Sequence, residues 1–163
     1  MNSTNCVLIG FMGSGKSTIA KALHRAQGAL VLDSDALIES NEDLSIKAIF
    51  DSFGEDYFRD LERKFCHFVA HNIQNAIVST GGGMPLFCDV RSMGKVFFLH
   101  LEFDRIVERL DAEQREKRPL FQDYDLALKL YHERLPHYQS CAHYIINANQ
   151  SISTITQEIL ERL

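Results

Sequence analysis

Residues 6–18 read CVLIGFMGSGKST, from Cys6 to Thr18. An apolar run, 6–9, is followed at once by three glycines within nine positions, then by Lys16 and Ser17. Glycine weakens regular structure, so this density needs another purpose. A phosphate chain supplies one. It is held by several backbone N–H groups pointing inward, which demands close approach and positive φ angles. The spacing fits G-x-x-x-x-G-K-[ST], with a strand-like run before it and a helical pattern after it. The helix N-terminus adds partial positive charge. Lys16 is then a point charge for the β- and γ-phosphates, and the Ser17 hydroxyl a ligand for Mg²⁺. Loops of this kind serve GTPases, motor ATPases and small-molecule kinases alike, so the loop alone does not name a reaction.

Working outward, residues 7–10 read as a short buried strand and 16–27 as a helix. Its apolar face is Ile19, Ala20, Leu23 and Ala26, and Gly28 stops it. Further strands are expected at 29–33, 76–80, 95–101 and 144–147. Helices are expected at 36–40, 45–53, from about 55 to 72, from 103, at 126–135 and at 154–163. Ser52-x-x-Glu55 has the form of a capping box opening the long helix, whose apolar stripe would be Phe58, Leu61, Phe65, Phe68, Val69 and Ile73. Pro136 would end or kink the helix before it. Short strands alternating with helices imply a buried parallel sheet covered on both faces. Ligands bind such sheets at the carboxyl ends of the strands, so those ends carry the interest.

The second strand runs into Asp33-Ser-Asp35. In extended chain these two carboxylates point the same way, one for a metal and one for an acceptor hydroxyl. Either could instead cap a helix. The third strand runs into Gly81-Gly82-Gly83, a flexible turn or a strip against which a small ligand lies close to backbone amides. Arg59 and Glu62, at i, i+3, read as a solvated pair. Arg134 extends a Leu126–Leu130 stripe, either snorkelling outward or facing a cleft to await a carboxylate. The charged stretch 112–125 is a solvated loop or a lid that brings an arginine to the transferring phosphoryl group. His67 and His71 stand at i, i+4 but lack the glutamate of a zinc helix, so a surface pair is expected.

Composition adds bounds. With 163 residues the chain is long enough for one domain with a real core. A net charge of −5 gives no general attraction to nucleic acid or to an anionic membrane, so any anion site is local. No apolar run approaches a membrane span, and the N-terminus lacks the pattern of a signal peptide. Four cysteines, Cys6, Cys66, Cys88 and Cys141, are widely spaced, which suits reduced thiols in a cytoplasmic protein.

Taken together, GFMGSGKST, LDSD at 32–35, FRDLE at 58–62, STGGG at 79–83, REKRPL at 115–120 and ERLPHY at 133–138 resemble the shikimate kinase family in order and spacing. The resemblance runs over nearly the whole chain. It implies a nucleoside-monophosphate-kinase-like α/β P-loop fold with a five-stranded parallel sheet. It further implies transfer of the γ-phosphoryl of ATP to the 3-hydroxyl of shikimate, a step in making aromatic amino acids. The single domain at 1–163 would hold a core, a substrate-binding region at about 34–60 and a lid at about 112–125. In that pattern Gly13, Ser14, Gly15, Lys16, Ser17 and Thr18 bind the ATP phosphates, and Ser17 and Asp33 serve Mg²⁺. Asp35 meets the acceptor hydroxyl. Arg59 and Arg134 clamp the substrate carboxylate, and Glu62 braces Arg59. Gly82, flanked by Gly81 and Gly83, offers a backbone donor. Arg118 comes from the lid, and Arg109 lies beside the adenine. A monomer acting on ATP and shikimate is expected, with no nucleic-acid or membrane partner. The rivals are a kinase of another small hydroxylated acid, such as gluconate, and a GTP-operated switch, for which the guanine-reading N-K-x-D pattern is missing.

Overall fold

In the computed structural model, which describes residues 4–110 and 123–163, five short strands lie parallel in one sheet. They are β1 (Cys6–Ile9), β2 (Val31–Asp33), β3 (Ile77–Ser79), β4 (Lys95–His100) and β5 (Tyr144–Asn147), in the order β2-β3-β1-β4-β5. Cys6 pairs with both Ile77 and Lys95, so β1 is the central strand. Every residue of β1 and β3 is buried, as are the four inner residues of β4. A strand buried on both faces must be covered on both faces, and its sequence is therefore continuously apolar rather than alternating.

The helices are α1 (Lys16–Gln27), α2 (Ser34–Glu42), α3 (Ile46–Phe53), α4 (Glu55–Asn72), α5 (Met84–Phe87), α6 (Phe103–Arg109), α7 (Tyr124–Cys141) and α8 (Ile152–Leu160), with a 3₁₀ turn at Val90–Met93. Helix α1 ends on Gly28 at φ 74°, in the left-handed conformation a glycine cap adopts at no steric cost. Its buried face is Ile19, Ala20 and Leu23, while Ala26 is exposed.

Three local expectations give way. Ser52 does not open α4. It lies inside α3, and Gly54, at φ 82°, both ends α3 and begins α4 without a side-chain cap. Pro136 does not end α7, which continues to Cys141. Proline withdraws a donor from the carbonyl four residues back, but His132 is exposed and water can serve it, while buried Tyr138 anchors the turn beyond. Finally, Asp33-Ser34-Asp35 is not extended. Asp33 is the N-cap of α2, and Ser34 and Asp35 already belong to its first turn.

Apolar side chains gather in two places. The main core surrounds the sheet and takes in α1, α8 and the second half of α4, through Cys66 and Val69. A separate cluster of Ile38, Ile49 and Phe58 joins α2, α3 and the first half of α4, with Leu44, Ile46, Phe50 and Leu61 packed around it. Full burial of each such side chain is worth about 1.5–3 kcal/mol. The buried stripe of α4 is Phe58, Arg59, Glu62, Cys66 and Val69, whereas Phe68 is 56% exposed. The helix is thus rotated relative to the purely apolar stripe, and two charged residues face inward.

Candidate active site

The loops after β1, β2 and β3 converge at one end of the sheet. The first is the phosphate loop. Gly13 at φ 83° and Gly15 at φ 99° adopt angles that turn successive amides inward. Lys16 Nζ donates to the carbonyls of Gly10 at 2.7 Å and Phe11 at 3.1 Å, which stations the ammonium over the loop itself. Helix α1 begins at Lys16 with no acidic residue in its first turn, so nothing there opposes an anion. Ser14 is buried, and its hydroxyl has no partner among the described residues.

Asp33 uses both of its carboxylate oxygens. One carboxylate oxygen caps α2 by accepting the Ala36 N–H at 3.1 Å, and the other accepts the Ser17 hydroxyl at 3.4 Å. That pair sets two hard oxygen donors side by side at the phosphate loop. The set fits Mg²⁺, which takes one or two protein oxygens and completes its shell with phosphate and water.

Asp35 lies two residues on, in the first turn of α2. Burial pushes its carboxyl above the ordinary 3.8, the Asp33 and Glu39 carboxylates add to the rise, and Lys16 and the Ser34 hydroxyl oppose it. Ser34 is fully buried, and its hydroxyl accepts the Gly81 N–H at 2.8 Å, tying the β2 exit to the β3 exit. No sequence pattern pointed to this role, although a serine between two candidate aspartates is where a tether would fit.

The triple glycine is not a matter of backbone torsion, since none of the three has a positive φ. Each is small because a different side chain lies against it. A Cβ on Gly81 would stand 2.5 Å from Asp35 Oδ1, one on Gly82 3.3 Å from an Arg134 nitrogen, and one on Gly83 2.6 Å from an Arg59 nitrogen. The strip therefore gathers a carboxylate and two guanidiniums from α2, α4 and α7 beside one backbone segment.

Arg59 and Glu62 are not a solvated pair. They are 8% and 1% exposed and joined at 2.7 Å. Glu55 accepts from Arg59 Nε and from a terminal nitrogen at 3.0 and 2.8 Å, and the Phe87 ring lies 4.3 Å from the guanidinium carbon. Burial works against the Arg59 charge, but the two glutamates more than offset it and hold its pKa above the ordinary value. Burial raises Glu62, with Arg59 opposing. Glu62 Oε1 has no partner among the described residues.

Arg134 turns inward, with a terminal nitrogen against Gly82. The stripe it belongs to is Ala127, Tyr131 and Tyr138, which are buried; Leu126 is 53% exposed. Its guanidinium sits 6.0 Å from the Phe11 ring, and its buried Nε has no partner among the described residues. Tyr138, the largest fully buried side chain, donates its hydroxyl to the Gly82 carbonyl at 2.6 Å and hydrogen-bonds Arg134. Sequence reading quoted this tyrosine without a task for it. The signal available was its place four residues after Arg134, on the same helix face.

A cleft of about 760 Å³ runs along the phosphate loop, lined among others by Gly13, Lys16, Thr18, Asp35, Gly82 and Arg109, with Arg59 and Arg134 behind the glycine strip rather than in its lining. Arg109, at the end of α6, donates to the Ala148 carbonyl at 2.8 Å, just beyond β5. Arg118 and most of the 112–125 stretch lie outside the described residues. His67 and His71 stack at 4.2 Å on the surface of α4, and no group of three metal-ligating side chains occurs among the described residues.

A phosphate loop at the head of α1, an oxygen pair for a hard cation and a half-buried carboxylate beside two guanidiniums define a P-loop kinase of small molecules. The comparisons with known proteins carry this to a family. The family model for shikimate kinase matches residues 12–163. A shikimate kinase of Helicobacter hepaticus is 45% identical over 157 residues, covering 96% of this chain and 94% of that protein. Among solved structures, shikimate kinase from Bacteroides thetaiotaomicron superimposes with a TM-score of 0.87 at 31% identity, covering 98% of this chain and 97% of the other. Shikimate kinase from Acinetobacter baumannii in complex with shikimate gives 0.86 at 29% identity, covering 99% and 93%. The chain belongs to the shikimate kinase family.

Proposed function

We propose that this chain transfers the γ-phosphoryl of ATP to the 3-hydroxyl of shikimate, working as a monomer in the cytoplasm, on small molecules rather than on nucleic acid or membranes. The observation that carries the reading is the glycine strip, where Asp35, Arg134 and Arg59 lie against Gly81, Gly82 and Gly83 in turn, next to the phosphate loop. Phosphoryl transfer asks the protein for positioning and for positive charge around the equatorial oxygens, with little covalent help. The amides from Gly13 to Thr18 hold the polyphosphate, and Lys16 neutralises its β/γ end. Arg118 adds a second charge from the lid, and Arg109 packs beside the adenine. Ser17 and Asp33 would hold Mg²⁺, which would supply further charge neutralisation to the polyphosphate. Asp35 accepts the hydroxyl proton, for which its raised pKa makes it a better base than a free aspartate.

Arg59 and Arg134 bind the ring carboxylate. Guanidiniums suit a planar carboxylate better than ammoniums because they can donate in parallel pairs. The unpartnered Nε of Arg134 supports this, because a buried donor left unsatisfied costs about 1–3 kcal/mol unless a ligand answers it. Gly82 and its neighbours present backbone to the ring at close range. A coupled assay tests the reading, with shikimate and gluconate as acceptors and ATP and GTP as donors. Turnover is expected with shikimate and ATP alone. No turnover above background with that pair rejects the function, and Arg134→Ala is expected to weaken shikimate binding with ATP binding nearly intact.

A further inference from the structure

We propose that Cys66 and Cys88 form a site of reversible oxidation, closing to a disulfide under hydrogen peroxide and thereby loosening the acid pocket. Cys66 is buried on the inward face of α4, seven residues beyond Arg59 and four beyond Glu62. Cys88 caps α5, directly after Phe87, whose ring covers the Arg59 guanidinium. Both cysteines are free, and they stand where α4 packs against α5 and the 3₁₀ turn after it. Cys66 Sγ also donates to the Asp89 carbonyl at 3.4 Å and lies 3.9 Å from Ser92 Oγ, so it is seated against the segment that carries Cys88. Cys88 is partly exposed and opens the pair to solvent. Neither thiol has a task in phosphate or acid binding.

The pair is set apart from the other cysteines. Burial pushes the Cys6 thiol up to about 12, where it is inert, and Cys141 donates to the Pro85 carbonyl away from the pair. At the pair, the neighbouring Cys88 thiol, aided by Ser92 and opposed by burial, draws Cys66 below its ordinary value. Cys88 is driven up by that same neighbour and by burial. One attacking thiolate beside one protonated partner is the arrangement that oxidation to a disulfide requires.

The chemistry balances with one peroxide. The Cys66 thiolate attacks a peroxide oxygen, the O–O bond breaks, and the sulfenic acid forms as hydroxide leaves. Hydroxide takes the Cys88 proton and becomes water. The Cys88 thiolate attacks the sulfenyl sulfur, the S–O bond breaks, and the departing oxygen picks up a proton from solvent as a second water. Two electrons pass from the sulfur pair to the peroxide. The new bond, about 2.05 Å long, is shorter than any sulfur hydrogen bond, so α4 and the end of α5 must shift. That shift moves Phe87 and Gly83 relative to Arg59. Misplacement of about 1 Å at a positioning group can cost up to about 10²-fold.

The oxidation site stands on the geometry of the thiols, while its effect on the acid rests on the proposed role of Arg59. The test treats the full chain with hydrogen peroxide and counts thiols, maps cross-linked peptides by mass and measures kinetics before and after a dithiol reductant. Thiols counted after unfolding are expected to fall from four to two, with residues 66 and 88 joined. KM for shikimate should rise about tenfold, KM for ATP should stay put, and reduction should reverse both changes. Cys66→Ser and Cys88→Ala should keep basal turnover and lose the response. A cross-link through Cys6 or Cys141, no cross-link at all, or a 66–88 bond with shikimate KM unchanged would each overturn the proposal. Reduced protein that fails to turn over shikimate would count against the function instead, since the peptide map still decides the thiol pair.

Discussion

The phosphate loop and the proposed acid pocket occupy neighbouring strand ends yet are made of different material. The loop is main chain: nine consecutive residues, glycines at positive φ, and one ammonium tethered to the loop's own carbonyls. The pocket is side chain: Asp35 from α2, Arg59 and Glu62 from α4, Arg134 from α7, gathered on a glycine strip after β3. In the loop a glycine is required by its torsion. In the strip it is required by what leans on it. The lesson is that a backbone-built site is encoded locally and tolerates its surroundings, whereas a side-chain-built site depends on several elements meeting at once.

The sharpest way to break that contrast is at Asp35, where both materials meet. Asp35→Asn is expected to lower kcat about 10³-fold, within the range for losing a general base. The same change should raise the melting temperature. Its folded pKa lies above the ordinary 3.8, so its contribution to stability is present below 3.8 and is lost as pH rises through the folded value. At neutral pH the charged carboxylate is a cost, which asparagine removes. The acid limb of the wild-type rate profile should likewise fall above pH 3.8 and vanish in the variant. A pH-independent rate in wild type would remove Asp35 as the base.

Lys16→Ala comes next, with about 10²-fold or more lost from kcat as a preorganised charge disappears. Substitutions in the pocket should leave ATP binding alone, and Lys16→Ala should not alter shikimate binding measured by titration without nucleotide. Gly83→Ala is the matched probe for the strip. Its φ of −89° accepts alanine, but the new Cβ would meet Arg59 at 2.6 Å. KM for shikimate should rise about tenfold to 10²-fold with little change for ATP. Equal losses for both substrates would dissolve the contrast. Tyr138→Phe is the smallest. It deletes one hydroxyl between α7 and the Gly82 carbonyl and should cost about fivefold in shikimate KM, the worth of one ordinary hydrogen bond.

The same contrast explains what the sequence made legible. The phosphate loop, its strand and its helix could be read from thirteen consecutive residues, because main-chain chemistry leaves a dense local pattern. The alternation of strands and helices followed from period alone. The pocket did not. Residue by residue, Arg59–Glu62 looked like a surface pair, and the apolar spacing of α4 pointed to Phe68 rather than to these charged residues. Only resemblance gave them roles, because residues 59 and 134 are brought together by the topology. The capping box at Ser52 and the stop at Pro136 failed for a common reason. Local preferences worth about 1 kcal/mol at a cap, or about 3 kcal/mol for an interior proline, yield when tertiary packing needs a different boundary.

The cluster of Ile38, Ile49 and Phe58 has its own thermodynamic meaning. It is an island, joined to the sheet through α4, whose first half packs into it and whose second half packs into the main core. Three fully sequestered side chains hold far less free energy than the sheet does, so amides of α2 and α3 should exchange with deuterium through a sub-global opening that leaves β1, β3 and β4 protected. The part of the molecule built on α2 and α3 can thus breathe at a cost well below that of unfolding, with α4 as the axle.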